Sequence, residues 1–328
     1  MKKVLVTGAD GFIGSHLVEY LVKQGYSVRA FCFYNSFCSV GWLDTISDEL
    51  KSKIDFCLGD IRDAQLVDEA MKGIDTVYHL AALITIPYSY KAASSYIDTN
   101  IKGTLNVLES AKANNVKRVL ITSTSEVYGT AQYVPIDEKH PKNGQSPYAA
   151  SKIGADALAL SFYQSYGLPV TIVRPFNTFG PRQSIRGIIP TIITQLNNKC
   201  TEISLGNLKP TRDFLFIGDT VCAFEEISKS NSLLGEEVNI ATNTEISMGD
   251  LAELIIEKIN PKATIKLVEE RLRPEKSEVY RLYGDITKLM ANTNWKLTHT
   301  FEETLQKTID WYSHPDNLKL FRSNDYQI

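Results

Sequence analysis

Short apolar runs alternate with longer amphipathic stretches over the first half of the chain. The runs predict buried strands, and apolar residues that recur at helical spacing between them predict helices. The predicted strands cover residues 3–7, 27–33, 54–58, 76–80, 118–122 and 169–174, and the two longest predicted helices cover about 92–114 and 146–166. Strands that alternate with helices in this way predict a parallel sheet covered on both faces.

The regular alternation of apolar runs and helical patterns ends after Arg174. Prolines at positions 175, 181, 190 and 210 interrupt it, and the elements between them become short and irregular. We predict that residues 1–176 form a sheet domain, to which segments near 214–242 return, and that residues 177–213 and 243–328 form a smaller C-terminal α/β lobe. A lobe folded over the carboxyl edge of the sheet would hold a substrate between the two parts.

Three glycines, Gly8, Gly11 and Gly14, separate the first predicted strand from a helix that begins with Phe12 and Ile13. Glycine permits a tight turn, and the missing side chains let a pyrophosphate approach the free N–H groups of the helix N-terminus. The spacing G-x-x-G-x-x-G differs from the fingerprint G-x-G-x-x-G, but the strand before it and the helix after it match. We predict a Rossmann-type, doubly wound α/β fold that binds a dinucleotide.

The end of the second predicted strand departs from this pattern, because it carries no acidic residue for the adenosine ribose. Asn35 or Ser36 is expected to supply the hydrogen bonds instead, and the absence of a basic residue favours NAD over NADP. At the end of the third strand, Asp60 either accepts from the adenine amino group or caps the next helix. His79, inside the fourth strand, is expected to be a core residue.

The composition limits the kinds of partner and cellular compartment that we expect. The 328 residues are 43% hydrophobic and 22% charged, which is typical of a globular protein. A formal net charge of -3 gives no reason to expect a nucleic acid partner, and we expect no membrane span, since no apolar run is long enough. The five cysteines are scattered without C-x-x-C spacing, which argues against a disulfide framework or a zinc site and favours a reducing cytoplasm.

Candidate chemistry follows the fifth predicted strand. Thr124, Ser125 and Glu126 offer two hydroxyls and a carboxylate in succession, and Tyr148 and Lys152 lie four residues apart on a predicted helix. Residues at i and i+4 share a helix face, and a neighbouring ammonium is expected to lower the pKa of the phenol. A phenol with such a pKa transfers protons near neutral pH.

Cationic residues further along the chain are candidates for binding a diphosphate. Guanidinium groups match the geometry of phosphate oxygens, and an amide is a further hydrogen-bond donor to them. The candidates are Asn177, Arg182, Arg212 and Arg273.

Four motifs occur in one order along the chain: Gly8-x-x-Gly11-x-x-Gly14, His79-Leu80-Ala81-Ala82, Tyr148-x-x-x-Lys152 and Arg174-Pro175-Phe176-Asn177-x-x-Gly180-Pro181-Arg182. They resemble the extended short-chain dehydrogenase/reductases that act on nucleotide-diphospho-sugars. The resemblance covers nearly the whole chain and implies tightly held NAD, a sugar-nucleotide lobe and a homodimer built from the two long helices. The predicted cofactor-binding residues are Gly8, Gly11, Phe12, Ile13, Gly14, Asn35, Asp60, Ile61, Leu80, Ala81, Ala82, Asn100, Tyr148 and Lys152.

Within this family, Thr124-Ser125-Glu126 resembles the signature of the sugar 4,6-dehydratases, which are lyases, and UDP-glucuronate decarboxylases carry it too. The segment that begins at Arg273 resembles the corresponding region of GDP-mannose 4,6-dehydratase. The stretches at 34–37 and 41–44 are most similar to the NAD-dependent 4,6-dehydratases of the legionaminic acid pathway, which act on GDP-N-acetylglucosamine. A decarboxylase, a 4-epimerase, in which Glu126 would have no task, and an NAD-sensing regulatory protein stay open as alternatives.

We hypothesise a reaction in which Tyr148 removes the 4-hydroxyl proton while C4 is oxidised, Lys152 stabilises the phenolate, and Thr124 hydrogen-bonds the reacting oxygen. Glu126 then abstracts the C5 proton, water leaves from C6, and the product is a 4-keto-6-deoxy sugar nucleotide. Two routes to protonating the leaving hydroxyl are open: Glu126 acts twice, or Ser125 relays the proton.

Overall fold

The computed structural model describes residues 2–198 and 200–321 of the chain, so residues 322–328 of the predicted lobe lie outside the described residues. The strands are, in chain order, β1 Lys3–Thr7, β2 Ser27–Phe33, β3 Ile54–Gly59, β4 Thr76–His79, β5 Arg118–Thr122, β6 Val170–Pro175, β7 Asn177–Phe179, β8 Glu202–Leu205, β9 Thr211–Arg212, β10 Phe214–Phe216, β11 Glu237–Ile240, β12 Ile246–Ser247, β13 Thr264–Leu267 and β14 Arg281–Leu282.

The helices are, in chain order, α1 Phe12–Lys23, α2 Asp48–Lys51, α3 Ala64–Met71, α4 Ile86–Ser89, α5 Ala93–Tyr96, α6 Gly103–Ala113, α7 Pro147–Tyr166, α8 Ile188–Asn197, α9 Ile217–Lys229, α10 Met248–Ile259, α11 Thr287–Asn292, α12 Phe301–Ser313 and α13 Pro315–Leu318. Short 3-10 turns cover Gly41–Thr45, Ser125–Tyr128, Asn231–Leu233, Glu269–Arg271 and Glu275–Ser277, and a π-helical segment covers Ile97–Lys102.

Seven strands form the central sheet, in the order β11-β6-β5-β4-β1-β2-β3. Every neighbouring pair is parallel, as in β1 with β2 and β4 with β5. The six strands predicted from apolar runs are all present, with ends that differ from the prediction by one residue at most. The predicted Rossmann-type α/β fold is therefore confirmed.

The central sheet is buried on both faces, and β1 shows how. Val4 and Val6 point into one hydrophobic cluster, which helices α1 and α9 cover. Leu5, between them, points into a second cluster on the opposite face, which α3, α6 and α7 cover. Side chains that alternate along a strand reach both faces in turn, so a continuous apolar run is what a doubly covered strand requires.

The long helix predicted over residues 92–114 is interrupted. Helices α5 and α6 flank the π-helical segment Ile97–Lys102, which contains Asn100. The Asn100 side chain accepts from the Leu83 N–H at 2.8 Å, and donates to the Leu83 carbonyl at 2.9 Å and to the Ser151 hydroxyl at 2.9 Å. These bonds to residues far away in the sequence fix the position of Asn100. The apolar periodicity of the segment does not predict them. The other long helix begins as predicted, because the Ser146 hydroxyl caps α7 by accepting from Ala149 N–H.

A second group of elements forms the smaller lobe. Strands β7 and β10 pair with each other, β9 lies between β12 and β14, and β8 pairs with β13. Helices α8, α10 and α12 close a third hydrophobic cluster around them. Between these elements the chain returns to the central sheet, where β11 pairs with β6 and α9 packs on α1.

Candidate active site

A cleft of about 1140 Å³ opens at the carboxyl edge of the central sheet, and residues of the smaller lobe complete its wall. Ligands of open α/β sheets bind at this edge. The predicted site residues that line the cleft are Gly8, Gly11, Phe12, Ile13, Gly14, Asp60, Ile61, Leu80, Ala81, Ala82, Thr124, Glu126, Tyr148, Lys152, Asn177, Arg182 and Arg273. The remaining predicted residues, Asn35, Asn100, Ser125 and Arg212, are outside the described lining.

The glycine-rich turn is too tight for side chains at two of its positions. Gly8 has a φ of +67°, and a Cβ there would lie 2.8 Å from the Ala81 nitrogen. A Cβ on Gly14 would lie 2.0 Å from the Gly8 carbonyl oxygen. Helix α1 starts directly after this turn, so its first N–H groups, which have no partner within the helix, face the cleft. The turn therefore fits the pyrophosphate of a dinucleotide.

Of the two predicted ribose contacts after strand β2, Asn35 is engaged within its own loop, and Ser36 stays a prediction. The Asn35 amide donates to the carbonyls of Phe33 and Ser39 and accepts from the N–H groups of Phe37 and Ser39. It is thus committed to the shape of its own loop, and the prediction for Asn35 is corrected on this point.

Asp60 lines the cleft and forms a two-pronged ion pair with Arg62, with bonds of 2.5 to 3.0 Å. The structural alternative considered for Asp60 is wrong, because Asp63 caps helix α3 by accepting from the Gln65 and Leu66 N–H groups. Asp60 therefore remains a candidate for contact with adenine.

His79 is a core residue, as expected. Its side chain is 2% exposed and bonds the hydroxyls of Thr7 at 2.8 Å and Thr104 at 3.1 Å. Burial lowers the pKa of His79 to about 3, and the charge of Lys152 lowers it further in the same direction. A neutral imidazole held on both sides positions the ends of β1 and β4.

The segment after β5 turns sharply and brings a carboxylate into the cleft. Thr124 caps the 3-10 turn, and its hydroxyl accepts from the Glu126 N–H at 3.3 Å. Glu126 lines the cleft, with a side chain 13% exposed. Ser125 is 3% exposed and lies outside the described lining. The structure thus brings Thr124 and Glu126 to the cleft, and a catalytic role for Ser125 stays a prediction.

Tyr148 and Lys152 reach the cleft from one face of α7, as their spacing predicts. The expected sign of the Tyr148 pKa is wrong: burial raises it, the Glu126 and Tyr96 side chains raise it further, and only a hydrogen bond from the Thr124 hydroxyl lowers it. The phenol is 7% exposed, and its ring packs edge-on against Tyr96 at 6.2 Å. Desolvation penalises the phenolate more than neighbouring groups favour it.

Lys152 is 4% exposed, and burial lowers its pKa to about 8. Asp156, one helical turn further along α7, acts in the opposite direction. A lysine with this pKa exchanges its proton close to neutral pH, which suits a group that supports proton transfer.

The candidate diphosphate partners fall into different positions. Arg273 reaches Glu126, with 3.6 Å between Nη1 and Oε2. Arg182 lines the cleft but forms an ion pair of 2.5 Å with Glu19 of α1. Arg212 is 5% exposed and donates to the Thr211 carbonyl at 2.9 Å, so it stands behind the lining. Glu126 and Arg273, which line the cleft, both act on the pKa of Arg212, so its contact with a diphosphate stays a prediction.

Asn177 lines the cleft from strand β7. Its Oδ1 is buried and has no hydrogen-bond partner among the residues that the structure describes. A buried acceptor without a partner costs free energy, of the order of 1–3 kcal/mol, until a donor reaches it. The cleft therefore presents an acceptor to a bound molecule.

Sequence reasoning assigned no site role to several aromatic residues that line the cleft, among them Trp42 and Phe321. The backbone N–H of Trp42 donates to the Asp10 carbonyl in the glycine-rich turn at 3.1 Å. Its ring lies 5.8 Å from the rings of both Trp311 and Phe321. No local sequence pattern predicts a contact between residues so far apart along the chain.

Two further absences concern the parts of the chain that the structure describes. Within residues 2–198 and 200–321, no three His, Cys, Asp or Glu side chains are grouped so as to hold a metal ion. None of the helices described there has the length and apolar character needed to cross a membrane. All five cysteines are free thiols.

Comparison with known proteins places the chain in a family. It matches the family model for GDP-mannose 4,6 dehydratase over residues 5–308. A dTDP-D-glucose 4,6-dehydratase from Dictyostelium discoideum is 33% identical, covering 97% of this chain and 83% of the relative. A putative UDP-glucose 4-epimerase from Methanocaldococcus jannaschii is 30% identical, covering 94% of this chain and 97% of the relative.

Solved structures show the same relationship. DesIV, a dTDP-glucose 4,6-dehydratase from Streptomyces venezuelae with NAD and TYD bound, superposes with a TM-score of 0.86 at 28% identity, covering 96% of this chain and 98% of that chain. The parallel sheet described above agrees with this structural match. The chain therefore belongs to the GDP-mannose 4,6-dehydratase family, within the extended short-chain dehydrogenase/reductases.

Proposed function

We propose that the protein catalyses the NAD-dependent 4,6-dehydration of a nucleotide-diphospho-hexose. The observation that carries this proposal is the position of Glu126. Its carboxylate lines the same cleft as Tyr148, Lys152 and Thr124. Tyr148 and Lys152 suffice for redox chemistry at a carbinol, and a carboxylate beside them supplies the base that an elimination also needs.

NAD is the cofactor. The glycine-rich turn and the N-terminus of α1 would hold its pyrophosphate, Asp60 and Ile61 its adenosine, and Lys152 its nicotinamide ribose. When bound, it takes a hydride from C4 of the sugar and later returns it to C6, so no external reductant is consumed.

Tyr148 takes the proton of the sugar 4-hydroxyl as C4 becomes a ketone. The Thr124 hydroxyl hydrogen-bonds the phenolic oxygen, and the ammonium of Lys152, four residues along α7, would offset the charge that develops there. Because burial raises the pKa of Tyr148, the phenolate needs both of these groups. The substrate hydroxyl is expected to enter between Tyr148 and Thr124.

Glu126 then removes the C5 proton, which the 4-ketone acidifies. The C6 hydroxyl must leave as water, and it takes its proton from an acid within reach. Ser125 is outside the described lining of the cleft, and a hydroxyl is a much weaker acid than a carboxylic acid, so we assign this proton to the carboxylic acid just formed at Glu126. Glu126 thus acts first as base and then as acid. Once the hydride is back on C6, C5 takes a proton from solvent and Tyr148 releases to solvent the proton of the 4-hydroxyl, which leaves a 4-keto-6-deoxy sugar and one water.

For the substrate we propose GDP-N-acetylglucosamine, as in the legionaminic acid pathway. The family match to GDP-mannose 4,6 dehydratase supports a guanine nucleotide, although the dehydratases among the curated relatives act on dTDP-glucose by name. The unpartnered Oδ1 of Asn177 suits an acetamido N–H or a sugar hydroxyl. Arg273 and Arg182 line the cleft and are the proposed partners of the diphosphate.

A UDP-glucuronate decarboxylase is the second candidate. Such an enzyme needs a cation for the C6 carboxylate, and Arg273 lies close to Glu126 at the place where that carboxylate would sit. A 4-epimerase is the third, since a relative carries that name. Neither the position of Arg273 nor the relatives give Glu126 a task in epimerisation.

Product analysis by mass spectrometry in D2O distinguishes the three reactions. Dehydration removes one water and leaves deuterium at C5, decarboxylation removes CO2, and epimerisation changes neither the mass nor the C5 hydrogen. GDP-N-acetylglucosamine, dTDP-glucose, UDP-glucose and UDP-glucuronate would be tested in parallel. Release of CO2 from UDP-glucuronate, without dehydration of any hexose, would overturn the proposal.

Replacing Glu126 by Gln is expected to lower kcat by at least about 10²–10⁴-fold, because an acid/base group is lost. Deuterium incorporation at C5 should disappear, while NAD still binds. Ser125→Ala is the matched control and should keep most of the activity, since Ser125 is outside the described lining of the cleft. Equal losses in both variants would contradict the double role of Glu126.

We also propose a cytoplasmic homodimer formed through helices α5 to α7. The five free thiols suit a reducing compartment. Ile97 is 55% exposed on the π-helical segment, and Ala150 is exposed on α7, which leaves apolar surface on these helices. Light scattering of the full chain and of an Ile97→Glu variant would test the dimer, which the variant should weaken.

A further inference from the structure

A buried carboxylate that the reaction scheme does not use lies beneath the catalytic pair. Asp156 is 0% exposed and sits on α7, four residues after Lys152. Its Oδ2 accepts from the Ser123 hydroxyl at 2.7 Å and from Arg174 Nη2 at 2.8 Å. Its Oδ1 has no hydrogen-bond partner in the described part of the chain.

The bond from Ser123 to Asp156 joins the two segments that carry the chemistry. Ser123 immediately precedes Thr124 and Glu126 at the end of β5, whereas Asp156 shares α7 with Tyr148 and Lys152. A second bond, from the Thr124 hydroxyl to the Tyr148 phenol, ties the same two segments inside the cleft; the bond from Ser123 is the one that ends on a buried carboxylate. Charge-assisted hydrogen bonds to a buried carboxylate are short and directional, so this one fixes the distance between strand end and helix.

We propose that Asp156 is a positioning residue of the reaction: it fixes the Tyr148–Lys152 face of α7 against the Thr124–Glu126 turn, and its negative charge holds Lys152 in the ammonium form. The proposal rests on the role given to Tyr148 and Lys152 under the proposed function. It adds a residue that touches neither the sugar nor the cofactor.

The charged groups around Lys152 support this reading. On α7 itself stand Tyr148 and Asp156. From β4, His79 is neutral, since burial lowers its pKa to about 3. From the turn after β5, Glu126 acts on Tyr148, as does Tyr96 from α5.

Burial lowers the pKa of Lys152 to about 8, and Asp156 is the group that opposes this shift. Without the Asp156 charge, desolvation alone would act on the pKa of Lys152 and would lower it further. An opposite charge nearby typically moves a pKa by about 1–3 units. The loss of Asp156 is therefore expected to deprotonate Lys152 at a lower pH.

Arg174 provides a matched control. It is also 0% exposed, and it donates to Glu237 at 3.0 Å and to the Tyr128 hydroxyl at 2.7 Å. Arg174 therefore keeps a carboxylate partner when Asp156 is replaced by Asn, and it keeps Asp156 when Glu237 is replaced by Gln. Both variants remove one carboxylate from the same guanidinium, but only the first removes the charge beside Lys152.

The experiment compares Asp156→Asn and Glu237→Gln with the wild type in two measurements. The first is the pH profile of kcat/KM. The wild type should lose activity as the pH rises through about 8, the pKa of Lys152, and Asp156→Asn should lose it about one pH unit lower, with kcat reduced by about tenfold. Glu237→Gln should lose stability but keep the wild-type midpoint.

The second measurement is the pH dependence of thermal unfolding, with no sugar nucleotide present. The folded pKa of Lys152, about 8, lies below its ordinary value of 10.5, so the cost of burying its charge is complete below pH 8 and absent above 10.5. The contribution of Lys152 to wild-type stability therefore stays constant as the pH falls below 8. In Asp156→Asn the pKa of Lys152 is lower, so the variant should continue to lose stability as the pH falls below 8. Glu237→Gln should run parallel to the wild type.

An unmoved midpoint in the unfolding measurement, or an equal shift in Glu237→Gln, overturns the proposal. A shifted unfolding midpoint supports it even if the wild type proves to catalyse a different reaction, because that measurement needs no turnover. The failure of the proposed function and the failure of this inference are thus seen in different experiments.

Discussion

Replacing Asp213 by Asn tests how the smaller lobe holds a buried charge. Asp213 is 0% exposed and lies between strands β9 and β10. Its Oδ1 accepts from the Thr242 N–H at 2.8 Å and from the Thr242 hydroxyl at 2.7 Å, and its Oδ2 accepts from the Gly284 N–H at 3.4 Å. One carboxylate therefore joins three distant segments.

The magnitude follows from the pKa. Burial raises the pKa of Asp213 from 3.8 to about 6, against the effect of these hydrogen bonds. The folded state then binds the proton more tightly than the unfolded state, so wild-type stability from this group is greatest below 3.8 and falls as the pH rises to about 6. A difference of 6 − 3.8 = 2.2 units corresponds to about 3 kcal/mol at 1.36 kcal/mol per unit.

The Asp213→Asn variant does not titrate, so it escapes this loss. Its amide NH2 would instead face the Gly284 N–H or a Thr242 donor, which leaves a buried donor unsatisfied at about 1–3 kcal/mol at every pH. Above pH 6 the cost of the buried carboxylate in the wild type nearly equals the cost of the unsatisfied donor in the variant. The unfolding free energies of the two proteins would then differ little at any single pH in that range. The slope with pH is the informative quantity.

Urea unfolding of both proteins across this pH range gives the difference in unfolding free energy. The variant should gain stability relative to the wild type by about 3 kcal/mol between pH 3.8 and 6, and the difference should be constant above that. Asp75 is the control, because its hydrogen bond from Lys117 lowers its pKa. Asp75→Asn should therefore lose relative stability only below pH 3.8, as the pH rises towards that value, and should run parallel to the wild type above it. A flat curve for Asp213→Asn, or a slope of the same sign as the control, would refute the reasoning.

Two further predictions concern the turn that holds the dinucleotide. Gly14→Ala places a Cβ 2.0 Å from the Gly8 oxygen, so it should destabilise the protein by about 1–3 kcal/mol and weaken NAD binding in calorimetry, because the backbone must move. Gly25→Ala, where φ is +84° and the space is open, should cost about 1–2 kcal/mol of stability but leave NAD affinity intact. Trp42→Ala removes ring contacts with Trp311 and Phe321 worth about 0.5–1.5 kcal/mol each, so limited proteolysis should cut the C-terminal segment faster. Unchanged cleavage would contradict the anchoring role of Trp42.

Local patterns predicted the strands and the start of α7 well. The apolar runs mark strands that are buried on both faces, and Ser146 caps its helix through a bond to a residue three positions away. The glycine-rich turn is similarly local, since Gly14 packs against Gly8. Each of these features is decided by residues that are close together in the sequence.

The missed features are decided over long distances. Arg182 pairs with Glu19, 163 residues away, and Asn100 bonds Leu83 across a loop, which shapes the π-helical segment. The sign of the Tyr148 pKa was wrong because helix spacing shows its neighbour but not its burial.

The route of the chain through the smaller lobe limits how such enzymes exchange specificity. The lobe is made by two stretches, near 177–216 and 241–321, separated by α9 and β11 of the central sheet. Strand β9 of the first stretch pairs with β12 and β14 of the second, and β8 pairs with β13. A chimaera that takes only one stretch from a relative would therefore join strands that never evolved together. Recombination or engineering for a new sugar nucleotide has to transfer both stretches at once, or change single residues in place.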